Sequence, residues 1–493
     1  MKMIYNVKDK PKFGQLIIFA FQQLLAIMAA TIAVPMIIGN GMSTSAALFG
    51  AGIGTLVYVL FTKAKSPVFL GSSFAFLGAM FAAFAGATSA GLGYVGLIIG
   101  AVFAGLVYVV IALIVKFAGV KWINKIMPAV VIGPIVAIIG LSLAGNAIGD
   151  LTKVNYTAPV DMAQVQVVEV DTVNEDGTIT PTSVAVNESV TLTPDENGNL
   201  TATTQPGSPY VAIICGLVTL AVVMLCSVYG KKMARLIPFI IGILAGYLVA
   251  TIFYFIGKAT GNAALMVIDY SALINNFKVI GVSSFIAVPD FSFLKAFGAF
   301  GELNGAYIGT IAAAYVPVAF VVFAEHIADH KNLSSIIEHD LLEDPGLSRT
   351  LLGDGVGSMA GAFFGGCPNT TYGESIGCVA ITKNASVNTI IVTACEAIII
   401  SFIAPFVAFL STIPSCVMGG VCIALYGFIA VSGLKMLQKV DLDDNRNLFT
   451  ASVILITGVG GFILTFGTIT ITTVACALIL GILTNVMLSK KKA

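Results

Sequence analysis

The chain has 493 residues, of which 57% are hydrophobic and only 10% are charged, and 25 basic residues balance 25 acidic ones. Soluble domains carry roughly 25% charged residues, so this composition excludes an ordinary soluble protein and predicts an all-α polytopic membrane protein surrounded by lipid. The zero net charge gives no indication of nucleic-acid binding.

Apolar runs that could cross a bilayer recur along the whole chain. A spanning helix needs about 20 mostly apolar residues. Two shorter, interrupted runs, 67–86 and 368–383, bring the predicted number of segments to fourteen. The uninterrupted runs are 14–38, 45–62, 91–117, 126–146, 209–228, 236–257, 300–328, 349–366, 387–413, 414–433, 447–464 and 468–488.

Lysine and arginine lie on alternate connections between these runs. Lys63 and Lys65 follow the second run and three lysines, 490–492, follow the last, whereas the short links 39–44 and 87–94 contain no basic residue. Basic residues favour cytoplasmic loops. An even number of spans then puts both the N-terminus and the C-terminus in the cytoplasm.

The polar stretch 151–208 differs from everything around it. It is acidic, Lys153 is its only basic residue, and "QVQVVEV" and "SVTLT" are rich in valine and threonine. The Asp-Gly and Asn-Gly dipeptides favour tight hairpins. We predict a small β insertion on the outer side, with a disordered loop as the alternative.

The two halves of the sequence resemble each other. "MPAVVIGPIVAIIGLSLAG" from Met127 has its Pro, Val and Gly at the same spacing as "IPSCVMGGVCIALYGFIAVSG" from Ile413. The interrupted segments also correspond, as "SPVFLGSSFAF" from Ser66 and "GCPNTTYGESIG" from Gly366. Seven spans per half, an odd number, predict a 7+7 inverted repeat, in which paired interrupted segments mark a midplane binding site of a secondary transporter.

The interrupted segments have the composition of short strands followed by half-helices. Pro67 and Pro368 prevent a continuous helix, and extended chain at this depth must be buried in protein or line a cavity. We expect the two extended pieces to pair where they cross and the half-helix N-termini to point free N–H groups at the cavity. Gly373 would allow the backbone to approach a ligand closely.

Carboxylates within predicted spans are candidate functional groups. Glu374 begins the second half-helix, where an ordinary helix-terminus role is the alternative. Glu325 and Asp329 are four residues apart and so share one face of a helix, and Glu325 lies deeper in the apolar run. Tyr426 lies within another apolar helix, where a core tyrosine with a bonded hydroxyl is the alternative.

A histidine pair lies on the same predicted helix as Glu325 and Asp329. His326 and His330 have the spacing of a zinc-protease motif, but Ile327 occupies the position of the required glutamate. His326 is therefore more simply a packed, hydrogen-bonded side chain. The eight cysteines form no CxxC pair. We predict no metal site, no cofactor and no enzyme activity.

Several motifs together resemble the nucleobase–cation symporter (nucleobase–ascorbate transporter) family, and in particular its bacterial uracil permeases. They are "QQLLAIMAATIAVP", "LGSSFAF", "FAEHIADH", "DLLEDPGLSRTLLGDG", "PNTTYGESIG" and "IPSCVMGGVCIALYGFIAVSG". The resemblance covers nearly the whole chain except 151–208 and part of 258–298.

This resemblance implies a domain organisation, a site and a location. The core domain would comprise 1–118 and 299–413, the gate domain 119–257 and 414–493, with a linker or extracellular loop at 258–298. The gate domain would mediate homodimerisation in the plasma membrane. Glutamates that hold the uracil ring edge fall on Glu325 and Glu374, and backbone N–H donors fall on Phe74 and Gly373. Apolar and aromatic walls fall on Ala30, Phe74, Tyr372 and Tyr426.

Two departures from the family pattern leave alternatives open. Ser375 replaces the asparagine that usually follows the motif's acidic or amide residue, and Asp329 stands where proton-coupled uracil transporters can have histidine. The resulting hypothesis is proton-coupled uracil import by alternating access, with Glu325, Asp329 or both carrying the proton. The rivals are a purine or xanthine symporter on the same scaffold and an anion transporter of the same fold.

Overall fold

The computed structural model describes residues 3–119, 128–161, 165, 167–173, 179–185, 190–194, 200–231, 233–466 and 469–488. The predicted inner link at 120–127 and the basic tail lie outside the described residues. Within the described residues, eight helices are long and apolar enough to cross a membrane. Their outer faces carry exposed Leu60, Phe117 and Val228, as expected where lipid is the solvent.

The α-helices of the described residues range in length from 4 to 33 residues. In chain order they are α1 (Phe13–Ile38), α2 (Thr44–Phe61), α3 (Leu77–Ala85), α4 (Ala90–Ala118), α5 (Ala129–Ser142), α6 (Ala144–Thr152), α7 (Pro209–Tyr229), α8 (Met233–Leu236), α9 (Pro238–Thr260), α10 (Ser271–Lys278), α11 (Ser292–Ala296), α12 (Gly305–Ile337), α13 (Leu347–Gly365), α14 (Gly373–Thr382), α15 (Val387–Ser401), α16 (Ala404–Ser411), α17 (Ser415–Leu437), α18 (Asn445–Val459) and α19 (Thr473–Leu488).

The strands within the described residues form four small antiparallel sheets. They are β1 (Leu70–Ser72), β2 (Ala158–Val160), β3 (Val167–Val173), β4 (Ile179–Ala185), β5 (Val190–Pro194), β6 (Leu200–Thr204), β7 (Asn369–Thr371), β8 (Leu464–Phe466) and β9 (Ile469–Ile471). Strands β2, β6 and β5 form one sheet, and the other three sheets are the pairs β3–β4, β1–β7 and β8–β9. The predicted strands in 151–208 are therefore present.

Side-chain caps determine where several helices begin. Ser43 and Ser89 accept hydrogen bonds from N–H groups in the first turns of α2 and α4, at 3.2 and 3.1 Å. Asn304 accepts from the third residue of α12 at 2.8 Å, and Asp444 accepts from the second residue of α18 at 3.0 Å. Each cap satisfies a donor that has no partner within its own helix.

Helical packing separates the long helices into two groups. Around the interrupted segments, α2 packs on α13 and α15, α4 packs on α12 and α13, and α1 packs on α15. We call α1–α4 and α12–α15 the crossing bundle. In the second group α17 packs on α5, α6 and α7, while α18 packs on α19 and α5, and α7 packs on α9. We call α5–α9 and α17–α19 the flanking bundle.

Three segments differ from the sequence prediction. The run 387–413 is not one helix but α15 and α16, separated at Phe402–Ile403. The run 447–464 ends as a helix at Val459, and the next helix starts only at Thr473 because the paired strands β8 and β9 lie between them. The segment 258–298 is not only a linker, because α10 and α11 lie within it. The predicted number of fourteen spans stays a prediction.

The chain before α1 is attached to the far end of α14. The N–H of Ile4 donates to the carbonyl oxygen of Lys383 at 2.8 Å, and the N–H of Ala385 donates to that of Tyr5 at 2.9 Å. Met3 and Val7 pack against the buried cluster that contains Ile376 and Val379 of α14. The half-helix that begins at the site is therefore held at its other end as well.

Candidate functional site

Strands β1 and β7 cross at the centre of the crossing bundle, as the interrupted segments predict. They are antiparallel, with Leu70 opposite Thr371 and Ser72 opposite Asn369. The N–H of Ser73 extends the ladder by donating to the carbonyl oxygen of Pro368 at 2.9 Å. Extended backbone inside a membrane protein is stable only when its polar groups are satisfied in this way. Antiparallel pairing of the two interrupted segments is also what an inverted repeat predicts.

Gly71 allows the ladder to carry an aromatic ring on its surface. A Cβ atom at Gly71 would overlap with the ring of Tyr372. The hydroxyl of Tyr372 donates to the carbonyl oxygen of Ser72 at 2.7 Å, so the ring lies across the crossing point. The side chain at position 71 must therefore be absent for Tyr372 to hold this orientation.

A cavity of about 420 Å³ opens beside the crossing, between the two bundles. This volume lies in the range of small-molecule sites. The crossing bundle contributes the polar part of the lining and the flanking bundle contributes mostly apolar side chains. The lining residues are Ser73, Phe74, Ala75, Glu325, Ala328, Asp329, Thr370, Thr371, Tyr372, Gly373 and Glu374 on one side and Val136, Ile139, Phe239, Leu425, Phe428, Ile429, Ser432 and Met436 on the other.

Three carboxylates from two different elements line this cavity. Glu325 and Asp329 project from α12, and Glu374 projects from the first turn of α14. All three are half-buried. The Oδ2 atom of Asp329 accepts a hydrogen bond from Oγ1 of Thr371 at 2.7 Å, which links α12 to strand β7.

Helix starts from both interrupted segments lie beside the same space. Gly373 is the first residue of α14, and the leading N–H groups of a helix have no partner within it. A Cβ atom at Gly373 would meet no heavy atom within 4 Å, so it would project into the cavity. Phe74 begins the single 3-10 turn that precedes α3, and its N–H is likewise at a helical start. The positive ends of both half-helices are therefore near the cavity.

Two of the predicted wall residues lie behind the lining. Ala30 is 2% exposed and packs in a cluster with Tyr372 and Phe74. Tyr426 is also 2% exposed, and its ring contacts that of Phe74 edge to face, with 6.1 Å between the ring centroids. The structure thus brings six of the eight predicted residues to the cavity surface and puts Ala30 and Tyr426 in the layer that supports it.

The sequence did not single out the flanking side of the cavity or two of the hydroxyl residues of the ladder. Phe239 and Phe428 lie in uniformly apolar helices, where nothing in the sequence separates a cavity-facing ring from one facing lipid. Ser73 and Thr370 lie within the same motifs as Phe74 and Tyr372 and also line the cavity. Their position directly next to the predicted crossing was the available signal.

The histidine pair faces the interior of the crossing bundle. His326 is 0% exposed, with Nδ1 2.7 Å from Oδ2 of Asp354 and Nε2 2.9 Å from Oγ1 of Thr350. His330 Nε2 is 2.7 Å from the hydroxyl of Tyr58. His326 is a packed, hydrogen-bonded histidine, as predicted. In the described part of the chain no three histidine, cysteine or acidic side chains are grouped to hold a metal ion.

The apolar helices and the crossed interrupted segments define an integral membrane protein with a transporter fold, whose cavity lies beside that crossing. A family model described as a permease family (Xan_ur_permease) matches residues 14–186 and 201–466. The chain belongs to this family, the nucleobase–ascorbate transporter family that its motifs indicate, and it is a permease rather than an enzyme.

Relatives in the family align over almost the full chain. The chain is 36% identical to the uracil permease of Bacillus caldolyticus, over 99% of this chain and 95% of that protein. It is 35% identical to the uracil permease of Bacillus subtilis (strain 168), over 100% of this chain and 96% of the relative. It is 32% identical to the uracil permease of Escherichia coli (strain K12), over 97% and 92%.

Solved structures with much lower identity share the fold. The transmembrane domain of a cyanobacterium bicarbonate transporter, BicA, matches with a TM-score of 0.59 at 13% identity, over 98% of this chain and 100% of that one. The murine Solute Carrier 26 family member A9 anion transporter in its inward-facing state matches with a TM-score of 0.55 at 11% identity, over 97% and 69%. The predicted helical transporter fold is confirmed.

Proposed function

We propose that this permease imports uracil together with a proton by alternating access. The observation that carries the proposal is that Glu325 and Glu374, which come from different elements, line one cavity beside the half-helix starts at Phe74 and Gly373. The full-length similarity to three uracil permeases supports the choice of substrate.

Uracil has the chemistry that these groups complement. It is planar and neutral, with two N–H donors and two carbonyl acceptors. Carboxylates of Glu325 and Glu374 would accept from the N–H groups, and the N–H groups of Phe74 and Gly373 would donate to the carbonyl oxygens. The ring of Tyr372, backed by Ala30, and the ring of Phe74, backed by Tyr426, supply aromatic walls. A site that pairs buried polar groups with a ligand rejects analogues that leave those groups unpaired.

The coupled proton would bind at Asp329, at Glu325, or at both. These carboxylates occupy successive turns of α12 and line the same cavity as Glu374. Three acidic groups facing one cavity repel each other, so a proton that neutralises one of them favours loading of a neutral ligand. Protonation outside and release inside would then accompany uracil in one direction.

Alternating access would arise from movement between the two bundles. The cavity lies between them, with polar groups on the crossing bundle and apolar groups on the flanking bundle. We infer that residues 1–118 and 299–413 act as a core domain that carries the substrate. Residues 119–257 and 414–493 would act as a gate domain that also forms a homodimer in the plasma membrane, with both termini in the cytoplasm.

Uptake into proteoliposomes tests this function directly. Purified protein is reconstituted, and radiolabelled uracil uptake is followed with and without an inward pH gradient. We expect accumulation above equilibrium only with the gradient, and dissipation of the gradient by a protonophore should remove it. Uptake at the same rate and extent with and without the pH gradient would argue against proton coupling. Absence of uracil binding would argue against uracil as the substrate.

A purine or xanthine symporter is the second candidate. Asp329, which the purine-transporting branch often has at this position, and a cavity of about 420 Å³ that leaves room for a two-ring base both favour it. Competition of labelled uracil uptake by xanthine and hypoxanthine separates the two. An anion substrate is disfavoured because Glu325, Asp329 and Glu374 face the cavity.

A further inference from the structure

One buried hydroxyl group joins three elements beside the site. Ser375 follows Glu374 in the first turn of α14 and is 0% exposed. Its Oγ accepts hydrogen bonds from Nε2 of Gln23 at 2.5 Å and from the N–H of Phe69 at 3.1 Å. Nε2 of Gln23 also donates to the carbonyl oxygen of Ser375 at 3.2 Å. Helices α1 and α14 and the chain leading into β1 therefore meet at this group.

The chain segments that meet at this joint, at Ser375, both continue into the lining of the cavity. On one side, Ser375 is the immediate neighbour of Glu374, whose carboxylate lines the cavity. On the other side, Phe69 precedes strand β1, and the chain reaches the cavity at Ser73 and Phe74. A displacement at the joint changes the separation between the carboxylate of Glu374 and the N–H of Phe74.

The polar atoms of the joint have few other partners. Phe69 is completely buried and lies outside any helix, so its N–H has neither water nor a helical carbonyl available in place of Ser375. The amide of Gln23, 3% exposed, donates to Ser375 in both of these hydrogen bonds. A buried donor that loses its acceptor drives local rearrangement, because leaving it unsatisfied is costly.

We propose that Ser375 and Gln23 are positioning residues for nucleobase binding, which fix Glu374 and the backbone at Phe74 at the separation that the ligand requires. The proposal rests on the proposed function. Serine at position 375, where the family usually has asparagine, is then part of a matched pair with Gln23 rather than a lost contact. The two side chains act on the ligand only through the cavity residues that they hold.

The test measures uracil affinity and thermal stability of the purified full-length protein for Ser375→Ala, Gln23→Leu and the double variant. Ser401→Ala is the matched control, because Ser401 is also a buried serine but its hydroxyl bonds within its own helix, to Ile398, at 2.6 Å. We expect each single variant to bind uracil about tenfold more weakly, the loss expected for about one hydrogen bond. The double variant should be no weaker than the single ones, since both changes break one joint.

The kinetic and exchange measurements separate positioning from folding. In uptake assays KM should rise while the maximal rate stays within about twofold of wild type. Hydrogen–deuterium exchange of the peptide covering 66–74 should accelerate in Ser375→Ala and stay unchanged in Ser401→Ala. Wild-type affinity in Ser375→Ala, or an equal loss of affinity in the control, would overturn the proposal.

Failure of the proposed function gives a different pattern. If the wild-type protein does not bind uracil, the substrate is wrong, and the exchange measurement alone then decides whether the joint exists. Unchanged exchange at 66–74 in Ser375→Ala would overturn the positioning role whatever the ligand. Faster exchange there with the control unchanged would support it.

Discussion

Thr371 donates a hydrogen bond from Oγ1 to Oδ2 of Asp329 over 2.7 Å, and so joins the second strand of the crossing to the helix that carries two of the three cavity carboxylates. The ladder puts Thr371 opposite Leu70 of the other interrupted segment. Asp329 is therefore oriented by a residue whose own position depends on both halves of the chain.

Removal of the Thr371 hydroxyl should weaken proton coupling more than it weakens uracil binding. Thr371→Val keeps the shape of the side chain but removes the donor to Asp329. We expect stimulation of uracil uptake by a pH gradient to fall several-fold, with uracil affinity within about threefold of wild type, as for loss of one hydrogen bond outside the ligand contacts. Thr450→Val is the control, because the buried Thr450 hydroxyl donates to the carbonyl oxygen of Arg446 in its own helix. Full stimulation in Thr371→Val would contradict the role given to Asp329.

Neutralisation of Asp329 should have the same signature in a stronger form. Asp329→Asn keeps an acceptor for Thr371 but cannot exchange a proton. We expect proton-driven accumulation to be lost while exchange of external for internal uracil at equal pH continues. The measurement compares the two assays in one preparation of proteoliposomes. Loss of both activities together would assign Asp329 to substrate binding instead.

Glu374 should be indispensable for uracil uptake. Glu374→Gln removes one acceptor and introduces an amide donor that faces the N–H donors of the base. We expect uptake to be abolished, with the melting temperature within a few degrees of wild type because the side chain is half-buried at the cavity surface. Wild-type uptake in this variant would refute its role in the site.

Two glycine substitutions should separate the ligand from the fold. Gly373→Ala adds a methyl group that meets no protein atom within 4 Å and extends into the cavity, so it should impair uracil binding and leave stability unchanged. Gly71→Ala adds one that overlaps with the ring of Tyr372. It should destabilise the protein by about 1–3 kcal/mol, the usual cost of overpacking. Thermal melting with and without uracil measures both effects.

An ion pair outside the spans provides a pH test of stability. Lys65, after α2, bonds to Asp344, before α13, at 2.5 Å, and this hydrogen bond lowers the pKa of the Asp344 carboxyl group below its ordinary value. A lowered pKa stabilises the fold above the ordinary carboxyl range, and this contribution disappears as pH falls through the folded pKa.

Lys65→Met should therefore lower the melting temperature slightly at pH 7 and at low salt. The effect should be small because both side chains are partly exposed. The difference from wild type should vanish in acid and at high salt. A difference that persists in acid would mean that packing of the lysine side chain, rather than charge, stabilises this contact.

The interrupted segments could be predicted because their residues exclude other structures. Pro67 and Pro368 break the helices. The β-branched and small residues that follow each proline favour extended chain. The sequence could not define which residues pair. The register of Leu70 with Thr371 depends on how α2 and α13 approach each other, and that contact is between residues hundreds of positions apart.

The remaining differences arise where composition is uniform. The break between α15 and α16 at Phe402–Ile403 is hidden inside an unbroken apolar run. The paired strands β8 and β9, "LTF" and "ITI", have β-branched residues that are equally common in apolar spans. Phe428 lines the cavity while Tyr426, two residues earlier on the same helix, packs behind Phe74, and helical phase relative to a neighbour decides this difference.

The β1–β7 ladder has a mechanical consequence. Hydrogen bonds in this ladder connect one half of the chain to the other. The two half-helices therefore cannot separate without breaking backbone hydrogen bonds in the protein interior. The β1–β7 ladder and the two half-helices therefore behave as one rigid unit. Any motion that exposes the cavity to one side of the bilayer would move this unit as a whole. The spacing between the cavity-lining groups of the two interrupted segments would then stay unchanged.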